Sequence, residues 1–120
     1  MTKKVFEKEG VKMGEGILDL LDYNFDKELA STDKLVLIDF WNETCIPCKR
    51  MAPMLEELGR KYTGKLVLAK LNTSINPRTV DRFEIKGVPT LLFMKNREVL
   101  EKISGVRTKS ELIEIIEKKL

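Results

Sequence analysis

Apolar residues fall into five short runs, with stripes of helical spacing between them. Ile17-Leu18-Asp19-Leu20-Leu21 is the first run, short and apolar as a strand is. Leu35 to Trp41 is the second, and Asp39 is its one charge. Near-continuous hydrophobicity over that length predicts a central strand covered on both faces, as in a parallel sheet. Lys65 to Leu71 and Leu91 to Met94 read the same way. Asn96-Arg97 is a tight turn into a last strand, Val99 to Ser104, which Gly105 ends.

Helical spacing fills the gaps. Asp22 or Asn24 caps a helix that buries Phe25, Leu29 and Ala30, and Asp33-Lys34 then turns the chain. Met51, Met54, Leu55 and Leu58 are the buried stripe of a longer helix, which ends near Tyr62-Thr63-Gly64 and contains Pro53 as a kink. Asn76-Pro77 opens a short helix to about Phe83. Thr108 or Ser110 caps a final amphipathic helix carrying Leu112, Ile113, Ile116 and Leu120. The order β-α-β-α-β-α, then a hairpin, then α, predicts an α/β fold. Its central mixed sheet has about five strands, joined partly by right-handed crossovers and flanked by helices on both faces. This domain occupies residues 16–120. Residues 1–15 hold Gly10, Gly14 and mixed charges without a period. They read as an N-terminal extension that either frays or packs onto the domain through Val5, Phe6 and Val11.

Composition narrows the function classes. At 120 residues, 42% hydrophobic and 34% charged, the chain is one globular domain, and no apolar run approaches the length of a membrane span. The net charge is only +3 and both signs are mixed throughout, so nucleic acid and membrane surfaces are poor partners. There are no histidines, which excludes Ser-His-Asp and Cys-His catalysis and most catalytic zinc sites. Lys3 and Lys4 are followed by charges rather than an apolar segment, so the expected location is the cytoplasm. Two cysteines in a reducing compartment point to redox or metal chemistry rather than a structural bridge.

Those cysteines form Cys45-Ile46-Pro47-Cys48, directly after a buried strand and at the start of a helix. Two thiolates do not complete a four-ligand zinc site; two chains pooling their pairs would, so a bridging metal or cluster stays open. An inert buried pair is the plainest alternative. The placement favours a dithiol. Cys45 sits where unpaired helix N–H groups and the helix dipole stabilise an anion, which increases its thiolate fraction. Cys48 lies one turn inward and within bonding reach. Cys45 would attack a substrate disulfide, and Cys48 would resolve the mixed disulfide. Pro47 lacks only an N–H that would have been unpaired anyway. Asp39, six residues before Cys45, is costly in an apolar strand unless paired or neutral. It is placed to take the proton of Cys48, with Lys70 of the next strand as its partner; an Asp at a strand end, in solvent, is the alternative. Pro89, at the mouth of a buried strand, is a candidate for a cis bond, although a trans loop would be unremarkable.

Ile38-Asp39-Phe40-Trp41, Cys45-Ile46-Pro47-Cys48-Lys49, Ala52-Pro53, Val67-Leu68-Ala69-Lys70-Leu71-Asn72, Gly87-Val88-Pro89-Thr90 and Gly105 together resemble the thioredoxin family, over about Ile17 to Leu120. The resemblance implies a thioredoxin fold and a protein-disulfide reductase whose redox group is the Cys45–Cys48 disulfide, with no other cofactor and no metal. It implies that Cys45 is the nucleophile, Cys48 the resolving cysteine and Asp39 a buried carboxylate near Lys70. It makes Pro89 cis and facing the cysteines, and sets Trp41 beside the motif. Val88 would pair its backbone with an extended substrate segment, and Gly87 and Gly105 would keep that surface flat. Implied partners are disulfide-containing proteins and a thioredoxin reductase, flavin- or ferredoxin-linked, acting on a monomer. Three positions depart from the family pattern. Thr44 replaces Trp, Ile46 replaces Gly, and Asn96-Arg97 replaces Asn-Gly. Thr44 and Ile46 thus alter the contact surface beside Cys45, to which Pro47 also belongs. An oxidase or isomerase, a dedicated partner of one enzyme, and a binding module whose cysteines do not turn over are the competing readings. A glutathione-dependent relative fits less well, given Trp41 and Ala52-Pro53.

Overall fold

Pairing of the long apolar runs organises the structure, a computed structural model that describes residues 12–13 and 16–120. Strands β1 (Lys12–Met13), β2 (Ile17–Leu20), β3 (Leu35–Trp41), β4 (Leu66–Asn72), β5 (Thr90–Lys95) and β6 (Glu98–Ser104) share the chain with helices α1 (Phe25–Ala30), α2 (Ile46–Lys61), α3 (Pro77–Arg82) and α4 (Lys109–Lys119). The strands make one sheet in the order β1-β2-β4-β3-β5-β6. β2, β4 and β3 run parallel, while β5 and β6 return antiparallel as a hairpin. Among the described residues the sheet therefore has one strand more than the five expected. The addition is β1, two residues paired antiparallel with β2. Apart from Lys12–Met13, the expectation for residues 1–15 lies outside the described residues.

β3 lies between β4 and β5, and alternate side chains serve two cores. Leu35 and Leu37 face a core with Met51, Leu55 and Leu58 of α2 and Leu112 and Ile116 of α4. Val36, Ile38 and Phe40 face the other, with Phe25 and Leu29 of α1. This double burial is why β3 reads as an almost unbroken apolar run. α2 approaches β4 closely at Gly59, where an added Cβ would lie 3.2 Å from Leu68 Cδ2.

The helix ends match expectation at α4 and depart from it at α1. Thr108, not Ser110, caps α4. Its Oγ1 accepts from Glu111 N at 3.1 Å, and its own N–H donates to Glu111 Oε1 at 2.8 Å. Asn24 precedes α1, but its Oδ1 accepts from Leu21 N instead of capping the helix. Asp22 caps a different helix: its carboxylate accepts from Arg78 N, Thr79 N and Thr79 Oγ1 at the start of α3. Ala30 is exposed rather than buried, because the six-residue α1 is too short for a further turn of its stripe to reach the core. Leu120 lies past the end of α4 and is 42% exposed. α2 runs continuously through Pro53, which lies on its exposed side.

Candidate active site

β3 delivers the chain to the cysteines and α2 takes it away. Between them, Thr44 N and Thr44 Oγ1 both donate to Asn42 Oδ1 at 3.1 Å, and Cys45 N donates to Asn42 O at 3.3 Å. This turn leaves Cys45 extended, at φ −85° and ψ 103°, as the N-cap of α2. Cys45 and Cys48 are joined by a disulfide with Cα atoms 5.3 Å apart. Cys48 N donates to Cys45 Sγ at 3.1 Å. On reduction, an amide in that position and the helix dipole favour a thiolate at Cys45. Cys45 is 8% exposed and Cys48 only 4%. Thr44, Ile46 and Pro47 are exposed around them, Ile46 by 55%.

Asp39 lies on the face of the sheet that α2 covers. It is 2% exposed, and its Oδ1 has no hydrogen-bond partner among the described residues. Burial pushes its pKa up to about 6, against the lowering influence of Lys70. Lys70 is its register partner on β4. The expected partnership acts through space: among the described ion pairs none joins Lys70 to Asp39. The Lys70 ammonium instead lies 4.9 Å from the centre of the half-buried Trp41 ring. A cavity of about 10 Å³ is lined by Asp39, Lys70, Glu56 and Ala52. That is room for about one water. Ala52 is one helical turn beyond Cys48, on the same side of α2.

The second loop group meets the same end of the sheet, because Thr90 pairs with Phe40. The Val88–Pro89 peptide is cis. Gly105 N donates to Pro89 O at 2.9 Å, and Thr90 Oγ1 donates to Gly87 O at 2.7 Å. Val88 is half-buried and Pro89 buried. Gly87 is exposed, and a Cβ there would meet nothing within 4 Å. Gly105 has φ +89°, in the region that favours glycine.

Two carboxylates near the site escape notice in the sequence. Glu43 accepts from Asn72 Nδ2 at 2.8 Å and from Ser74 Oγ at 3.0 Å. These bonds, Asn72 first, lower its pKa. They tie the loop before Cys45 to the loop after β4, and nothing in the local pattern signals them. Asp19 on β2 is the other register partner of Lys70. Its signal is the same as that of Asp39, a lone charge in an apolar run. Among the described residues no group of three or more metal-ligating side chains is placed to hold an ion, and no helix is long and apolar enough to cross a membrane.

Comparison with known proteins agrees with this geometry. The family model described as thioredoxin matches residues 16–118. Thioredoxin of Staphylococcus saprophyticus is 43% identical over 104 residues, covering 87% of this chain and 98% of that protein. Thioredoxin of Staphylococcus haemolyticus is 42% identical with the same coverage. Thioredoxin of Buchnera aphidicola from Acyrthosiphon pisum is 38% identical, covering 87% of this chain and 96% of that protein.

Proposed function

Given that this chain belongs to the thioredoxin family, we propose a residue-by-residue course for its reaction. The protein is a thiol–disulfide oxidoreductase that reduces protein disulfides, with the Cys45–Cys48 disulfide as its redox group and no other cofactor. Its reactants are disulfide-containing proteins and a reductase that returns it to the dithiol form. In our reading, Cys45 thiolate attacks one sulfur of the target disulfide. A Cys45–target bond forms, and the other target sulfur leaves as thiolate and takes a proton from water. Cys48 thiol then passes its proton by way of water to the Asp39 carboxylate and attacks Cys45 Sγ. The Cys45–Cys48 bond forms as the target's second thiolate leaves. Two electrons have moved from the dithiol to the target.

The observation that carries this reading is the sulfur of Cys45 held at the N-terminus of α2 with the Cys48 amide aimed at it. Thr44, Ile46, Pro47, Trp41, Gly87, Val88, Pro89 and Gly105 surround the target, with the Val88 backbone as pairing edge. Lys70 tunes Asp39. A monomer suffices, since every group in this scheme comes from one chain. A dithiol that must be kept reduced suits the cytoplasm, with a flavin- or ferredoxin-linked reductase as electron source. Residues 16–120 are the working domain, and residues 1–15 are an N-terminal extension.

The test uses single serine variants and a disulfide-bonded protein substrate. Cys45→Ser should abolish reduction, while Cys48→Ser should accumulate a mixed disulfide through Cys45. Reduction that survives Cys45→Ser would sink the assignment. Trapping through Cys48 in place of Cys45 would reverse the roles.

A further inference from the structure

The sheet places three charges side by side on one row. Asp19 of β2 is in register with Lys70 of β4, and Lys70 is in register with Asp39 of β3. Register partners on neighbouring strands project to the same face, with strands about 4.8 Å apart. The face is the one covered by α2, whose Glu56 lines the cavity shared by Asp39 and Lys70. On the β5 side the row continues with Leu91, which carries no charge. Lys70 therefore stands between two carboxylates, and its ammonium rests over the Trp41 ring rather than in an ion pair with Asp39.

We propose that Asp19 is a positioning residue for the resolving step: it shares the Lys70 ammonium with Asp39, so that Asp39 never holds the cation alone. The cation is drawn toward a carboxylate on either side of its strand, and it rests over the Trp41 ring of β3. Were Asp19 neutral, the only remaining in-register anion would be Asp39, and Lys70 would close on it. Asp39 would then be locked in its ionised form, a weaker proton acceptor for Cys48. The charge influences agree: Lys70 lowers the pKa of both Asp19 and Asp39, and in both cases burial outweighs it. Asp19 is thus a second carboxylate of the site, one strand beyond the residues that the chemistry touches.

This inference rests on Asp39 as the acceptor of the Cys48 proton, and the experiment separates the two claims. The carboxyl carbon of Asp39 is titrated by NMR in the oxidised full-length protein. Asp19→Asn should lower its midpoint by about half a unit or more, and Asp19→Glu should restore most of it. With Lys70→Met already present, Asp19→Asn should produce a clearly smaller shift. An unmoved midpoint overturns the proposal, as does an equal shift without Lys70. A larger shift in Glu56→Gln would assign the role to α2 and overturn it too. The pH profile of mixed-disulfide resolution is then measured in the same variants. Its acid limb should move down with the Asp39 midpoint. A midpoint that moves while the limb stays fixed would instead remove Asp39 from the proton transfer and leave the charge sharing standing.

Discussion

Replacing Asp39 by Asn should stabilise the oxidised protein, and by an amount that depends on pH. The carboxyl is buried, has no partner for Oδ1 among the described residues, and has its pKa pushed up from the ordinary 3.8 to about 6. The native state thus binds a proton that the unfolded state has already released between those two values. Stability falls wherever the native state holds more protons. It should fall as pH rises from the ordinary carboxylate value through about 6, then level off. At roughly 1.4 kcal/mol per pH unit, the full loss is about 3 kcal/mol. Asn carries no such charge and should escape it. Urea unfolding of both oxidised proteins, from pH 4 to pH 8, measures the effect as a difference. Carboxylates whose pKa is lowered, such as Glu43 and Asp22, lose their stabilising bonds in acid in both proteins and cancel in that difference. The two proteins should be close at pH 4, and Asp39→Asn should lead by about 2–3 kcal/mol at pH 8. A gap that is flat with pH, or one that grows toward acid, would refute a carboxyl held neutral by burial.

Other expectations follow from single features. Arg97 and Asn96 both have positive φ, at 67° and 52°, in the β5–β6 turn. Arg97→Gly should relieve the left-handed backbone and raise stability by about 0.5–1 kcal/mol in thermal unfolding, with disulfide reduction unchanged. Asp22→Ala should cost about 1–2 kcal/mol by removing the cap of α3. Burial works to raise the Asp22 pKa, but the bonds from Thr79 and Arg78 and the Arg78 charge outweigh it and leave it lowered. The Asp22 contribution is therefore complete above the ordinary carboxylate pKa, and the gap to Asp22→Ala should close as acid is added. A gap of constant size from neutral pH into acid would mean that the carboxylate does not make the cap.

Much of the candidate site is legible in the sequence, because its signals are local. A C-x-x-C between a continuous apolar run and a helical stripe places a dithiol at a strand-to-helix junction, and the backbone of a helix start does the rest. Asp39 stood out because a charge in a doubly buried strand is conspicuous. Asp19 carried the same signal in a shorter run, but its meaning depends on a neighbour that lies 51 residues away in sequence, Lys70. The Asp22 cap of α3 spans 57 residues, and the Glu43 bonds to Asn72 and Ser74 span 29 and 31. No periodicity within a segment reports such pairings.

Residue spacing by itself determined which segments are strands or helices, which of their faces are apolar, and where the reactive sulfurs stand on the backbone. These properties depend on side-chain period and on the unpaired amides of a helix start, both set within a few residues. Only the tertiary structure decided that β4 lies between β2 and β3, and hence that one lysine stands between two aspartates over a cavity the size of a water. Strand order and register arise from packing α2 and α4 on one face and α1 and α3 on the other, a global balance of buried area. The electrostatics of the proposed proton acceptor follow from that balance, because charge interactions depend on distance in space and not along the chain.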